Sequence, residues 1–255
     1  VTAFAAASRM EWLKLRSLRS TWCMLTVYAV VMIGLAILAL TVMVPGIMSP
    51  SARATFDPTN QGFTGAIIGQ ILTGIVGALA FTGEYSSGMI RATLSAVPRR
   101  PVAFAAKAAV LGTAALVSSE VIAFASFFAG EAALRSALPH ASITQPAVLR
   151  AVLMGGAFLF LIALIGLGLG ALLRNAAAAT GVLLGLLFAL PLLAHPLPHN
   201  GTVLKFLPEQ IGANSLIDVQ PDPNFLSPWL GLLMMCLYTA VILAAGFWAF
   251  TRRDA

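Results

Sequence analysis

The stretch Trp22–Val44, WCMLTVYAVVMIGLAILALTVMV, contains no charged residue. Wound as an α-helix at about 1.5 Å per residue it reaches roughly 34 Å, enough to cross a hydrocarbon layer about 30 Å thick. Five further apolar runs follow, over 62–82, 103–130, 151–173, 177–194 and 229–250. The whole chain is 59% hydrophobic and 9% charged, where soluble domains carry about 25% charged residues. These runs predict an all-α, polytopic membrane protein with six transmembrane helices. They leave room in 255 residues for short loops and an N-terminal segment, 1–21, but for no separate soluble domain.

A formal net charge of +6 would fit nucleic acid in a soluble chain, but the placement of the charges argues against that partner. Arg9, Lys14, Arg16 and Arg19 precede the first run, and Arg91, Arg99, Arg100 and Lys107 fall between the second and third. Arg174 separates the fourth and fifth, and Arg252 and Arg253 follow the sixth. Only Arg53, Arg135, Arg150 and Lys205 fall on the other side. Basic loops stay in the cytoplasm, so both termini are expected there, as an even number of spans also requires. Cys23 and Cys236 lie inside spans at no metal or redox spacing and are expected to be buried small hydrophobes. The first run is longer than a signal-peptide core of about 7–15 residues, so no cleaved leader is expected.

Residues 2–21 read as a basic helix lying at the cytoplasmic interface, with Trp12 and Trp22 at headgroup level. Glycines four apart (Gly65 and Gly69, Gly166 and Gly170, Gly181 and Gly185) predict close helix approach in lipid. Arg174 and Asn175 form a turn so short that spans four and five must be an antiparallel hairpin. In the last outer loop, Phe206–Val219 is apolar but too short to cross, and a re-entrant or surface helix fits it. No internal repeat is visible, which counts against an inverted-repeat carrier.

The most distinctive polar segment is Gly83–Pro101, GEYSSGMIRATLSAVPRRP. It reads as a short helix with Met89, Thr93 and Val97 along one side and Pro98 as its stop. Glu84 is expected in the first turn, where the helix dipole favours a carboxylate. A short helix carrying a carboxylate and arginines suits docking onto another protein; a solvated basic loop is the plainer alternative.

In the order Glu84, Tyr85, Gly88, Ile90, Arg91 and then Pro98-Arg99-Arg100, this loop resembles that of ATP-binding-cassette (ABC) exporter permeases of the type-2 class. The leader residues Glu11, Trp12, Lys14, Arg16 and Ser17, the ending Arg252-Arg253-Asp254 and the stretch Phe206-Leu207-Pro208 are similar to the same family. Met89 stands where many relatives have Thr. The resemblance implies a multi-pass permease of the bacterial plasma membrane that pairs with a second permease copy or homologue. It also implies separate ABC ATPase subunits, which carry the ATP and Mg, with no cofactor on this chain. Glu84, Tyr85, Ser86, Ser87, Gly88, Ile90 and Arg91 would form the coupling segment. The helix bearing Glu11, Trp12, Lys14 and Arg16 would contact the same ATPase.

No phosphate-binding loop is present in the sequence, since none of Lys14, Lys107 and Lys205 follows a glycine. The chain is therefore not expected to be an enzyme, and energy must come from a partner or an ion gradient. Glu120 is the acidic residue deepest in a span and should face the bundle or a wet cavity. With Gln70 it marks either a substrate path or a structural interface. An ion-coupled carrier centred on these two is the competing reading, and an integral membrane enzyme or structural subunit is a third. His140, His195 and His199 lack metal-site spacing and read as loop residues.

Overall fold

The computed structural model describes residues 3–43, 56–134, 138–194, 196, 203–220 and 222–253. Helix α1 (Ala3–Ser17) ends at an extended Leu18, and α2 (Arg19–Leu38) follows, continued by a π-helical turn over Ala39–Met43. The leader helix is thus shorter than its sequence stretch, because Leu18 breaks it before the first span. A single turn, α3 (Pro58–Gly62), is capped by Asp57, whose carboxylate accepts from the Thr59 and Asn60 amides. Gly62 therefore belongs to this turn, and span two is α4 (Ala66–Ser86). The short α5 (Met89–Ala96) leads into α6 (Arg100–Ala133), which is span three.

Span four is α7 (Pro146–Leu173). Span five runs from α8 (Ala176–Leu184) through a π-helical turn over Gly185–Ala189 into α9 (Leu190–Ala194). After α10 (Pro208–Ile211), which continues as a π-helical turn over Gly212–Leu216, α11 (Pro228–Arg252) forms span six. Proline opens α3, α7 and α11, where its missing N–H costs nothing. Six helices are long and apolar enough to cross a membrane, and no strand occurs among the described residues.

Span four is the axis of the bundle. It packs most extensively against span two, then against spans six and three. About 78% of its most apolar window is buried, against 22–28% for spans one, three, five and six. Small residues permit the tightest of these crossings. A Cβ on Gly77 would meet the Ala163 carbonyl, and one on Gly166 would meet the Gly74 carbonyl. Gly65 and Gly69 face Met32 and Tyr28 of span one in the same way. Gly181 and Gly185 differ from expectation, since nothing among the described residues of the neighbouring elements would come within 4 Å of a Cβ on either.

Val30, Val121, Leu192, Leu233 and Val241 point outward and are exposed. So much bare apolar surface is compatible with lipid and not with water. The cysteines correct the sequence reading: both Cys23 and Cys236 are exposed. Spans that line the rim of a bundle turn most of their positions to lipid, so an apolar residue there is not thereby a core residue.

The Phe206–Val219 stretch supplies α10 and its π-helical turn, which bury Ile211 and Leu216 against spans four and six. Arg150 of α7 donates to the Ser215, Asp218 and Val219 carbonyls and fixes this end. His140 pairs with Glu131, whereas His195, His199, Arg53 and Arg135 lie outside the described residues.

Candidate functional site

Gly88 is the pivot of the basic end. Its φ of 71° is the left-handed conformation that glycine adopts without a Cβ penalty. Span two stops there and the chain turns into α5. The Ser86 and Ser87 hydroxyls donate back to the Gly83 carbonyl at 3.1 and 2.7 Å and help close the last turn. At the other end Val97 leaves the helical region before Pro98, and α6 begins two residues after that proline. The result is an eight-residue helix suspended between two spans.

This placement corrects two expectations. Glu84 is not in the first turn of the short helix but in the last turn of span two, where the dipole opposes a carboxylate. Lys107, counted above with the basic loop although it falls within the 103–130 run, lies inside span three. The two errors meet in one site. Lys107 Nζ donates to Glu84 Oε1 at 2.8 Å and to Glu11 Oε2 at 2.7 Å. Lys14 Nζ donates to Glu84 Oε1 at 2.7 Å, to Glu11 Oε1 at 2.8 Å and to Thr93 Oγ1 at 2.9 Å. Thr93 Oγ1 also lies 3.2 Å from Glu84 Oε2. Two carboxylates and two ammonium groups from α1, α4 and α6 thus close a neutral cluster, with Thr93 of α5 joined to it.

Glu11, Glu84, Lys107 and Thr93 are all buried, at 6% exposure or less. Burial disfavours a charged Lys14, but its hydrogen bonds to Glu11 and Glu84 outweigh that and hold it above the ordinary lysine range. Lys14 spends all three ammonium donors inside the cluster. Lys107 spends two and turns its Nζ toward the face of Phe81, 5.5 Å from the ring centre. Below lies an aromatic layer in which Phe81 meets Phe250 at 5.2 Å and Phe104 at 5.5 Å. That layer closes the cluster off on the membrane side.

The remaining predicted residues sort by face. Ile90 is buried, with Leu94 and Val97 half-buried, so these and Thr93 form the inner side of α5. Met89, expected on that side, is exposed, as are Ser86, Ser87, Arg91, Ala92 and Ser95. A helix this short packs through a narrow stripe, and the preceding turn rotates that stripe by one residue. Trp12 and Arg16 of α1 are exposed as well. Tyr85 lies under the Arg174 guanidinium, 4.9 Å from the ring centre. Arg174 also donates to the Ala249 and Arg253 carbonyls and Arg100 to that of Phe250, which ties span six to this end.

Glu120 faces the bundle, as its cost in lipid demands. Its carboxyl occupies the notch left by Gly156 of span four, where a Cβ would come within 2.6 Å. Glu120 Oε2 and Gln70 Oε1 are buried without a hydrogen-bond partner among the described residues. No hydrogen bond joins the two among the described residues.

Sequence reasoning placed Lys107, Thr93, Arg100 and Arg174 at this end but gave none of them a contact in the site. The available signal was a lysine in an otherwise apolar helical stretch, which must find a counter-charge inside the protein. The sequence pattern of the family described as "ABC-2 family transporter protein" matches residues 8–191, the greater part of the chain. No curated protein matches it.

Proposed function

The chain belongs to the ABC-2 transporter family and is a membrane transport subunit; from that premise we propose that ATP hydrolysed by a separate subunit drives export through it. The exposed side of α5, with Met89, Arg91, Ala92 and Ser95, is the surface that receives the ATPase. Ser86 and Ser87 extend it. The carrying observation is that a bare eight-residue helix is bolted from behind to three other elements by a buried ionic cluster. A helix whose outer face served only solvent would need no such backing.

In this reading Glu84, Glu11 and Lys14 do not touch the ATPase. They position the helix that does. The basic end faces the cytoplasm of a plasma membrane, by the charge asymmetry of the loops. A second permease copy or homologue completes the path, and ATP and Mg belong to the partner chain.

Co-expression with a cognate ATPase tests the proposal. The two chains should co-purify, and Arg91→Glu should abolish substrate-stimulated hydrolysis while the permease still folds. If Arg91→Glu leaves both association and export unchanged, α5 is not the docking element. If the purified chain moves cargo without any ATPase, the energetic premise is wrong.

A further inference from the structure

A cavity of about 850 Å³ opens beneath the leader, between spans one and three, with spans two and four behind it. That size is in the range of small-molecule sites, about 300–1,000 Å³. Its wall is built from Leu25, Ala29, Leu72, Val76, Ala115 and Ile122, among others. Of the hydroxyls in the wall, Thr73 donates to the Gly69 carbonyl, Thr113 to Ala109 and Ser118 to Ala115, each within its own helix. Those of Tyr28 and Ser119 are buried without a hydrogen-bond partner among the described residues and make one polar spot in the wall. The rest of the interior is apolar and suited to hydrocarbon.

The mouth differs. Among the described residues Arg16 is the one charged residue that lines the cavity, and Trp12 and Trp22 stand beside it. The Trp22 indole N–H donates to the Arg16 carbonyl at 3.0 Å and holds the rim together. The nearest acid of the leader, Glu11, is turned away into the buried cluster. Arg16 therefore offers positive charge at headgroup depth with no carboxylate competing among the lining residues.

We propose that this cavity holds an acyl chain of one anionic lipid from the leaflet on the leader's side, its headgroup paired with the Arg16 guanidinium. A zwitterionic lipid fills the same interior but gains less at the rim. The proposal needs only that the chain is membrane-embedded and is independent of ATPase coupling.

The full chain alone, with Trp229→Phe and Trp248→Phe to leave Trp12 and Trp22 as reporters, is placed in nanodiscs. Lipids brominated on the acyl chain are then titrated in, either phosphatidylglycerol or phosphatidylcholine. Quenching should favour phosphatidylglycerol by about fivefold in apparent affinity, the worth of one basic residue near a membrane surface. Arg16→Gln should remove that preference, and Arg9→Gln, on the exposed leader but outside the cavity, should keep it. Ala115→Phe, which fills the cavity from span three, should weaken quenching by both lipids. Ala29→Phe does the same from span one, should the first variant fail to fold by circular dichroism. Equal quenching by the two lipids would overturn the proposal. So would an equal loss on Arg9→Gln, which would mean a diffuse basic surface, or no response to either filled cavity.

Discussion

Removing Lys107 charge from the buried cluster is the sharpest test of the site. In Lys107→Met the aliphatic stem is kept, but Glu11 and Glu84 are left sharing the single ammonium of Lys14. The lost contacts are 2.7 and 2.8 Å long. At an effective dielectric of about 20 each is a raw attraction of roughly 6 kcal/mol. Most of that was offset by desolvation when the cluster formed, so the measurable cost is nearer the ~3–5 kcal/mol seen when one partner of a buried pair is removed. The double variant Glu84→Gln/Lys107→Met deletes one charge of each sign and leaves Glu11 and Lys14 paired. It should therefore recover a large part of the loss, with an interaction energy of about 1–3 kcal/mol in the cycle. The assay is equilibrium unfolding in mixed micelles, followed by helicity, with exposed Arg91→Gln as the reference. Should Lys107→Met be no more costly than Arg91→Gln, or should the double variant show the plain sum of the singles, the charges do not act as a unit.

Gly77→Val should destabilise the bundle by about 3 kcal/mol or more, because the added carbons meet the Ala163 backbone and not a movable side chain; loss of monodisperse protein on gel filtration checks it. Gly88→Ala has open space around its new methyl but keeps a left-handed φ, so its cost should be limited to about 1–2 kcal/mol. Lys14 gives a pH signature. Its folded value lies above the ordinary 10.5, so its contribution is fully present below pH 10.5 and is lost as pH rises through the folded value. The thermal midpoint should fall on that alkaline limb, and the fall should be shallower in Lys14→Arg, whose guanidinium stays charged.

Fold class was legible because lipid imposes a simple rule: an uninterrupted apolar run of span length has one stable conformation. The junctions were less legible, because their ends are set by tertiary partners. Span two reaches Ser86 and not Thr82 because Glu84 finds two ammonium groups, which makes four more residues at a polar end worth winding. Span three begins at Arg100, ahead of its apolar run, where Pro101 suits the first turn and Arg100 donates to the Phe250 carbonyl of span six. Of the site, the segment that carries it was visible in the order Glu84, Gly88, Arg91 and Pro98. The division of its residues between a buried and an exposed side was not, since that depends on the rotation that Gly88 introduces. The cysteines show the reverse difficulty: hydrophobicity marks core in water but marks surface in lipid.

The geometry separates two tasks that the sequence runs together in a single loop. Recognition requires exposed, replaceable side chains, and Met89, Arg91, Ala92 and Ser95 meet that condition. Transmission requires the opposite, a contact that does not yield, and a neutral buried cluster of short charge-assisted bonds meets it. A load on the outer face of α5 reaches Thr93 first, then Lys14 and Glu84, and through Glu11 the Lys107 of span three. The leader, span two and span three must then move together or break bonds 2.7–2.9 Å long. Gly74 and Gly77 bring span two into backbone contact with span four, the axis of the bundle. Displacement of an eight-residue helix therefore reaches the membrane interior through side chains locked in the buried cluster and then through the backbone contact of spans two and four.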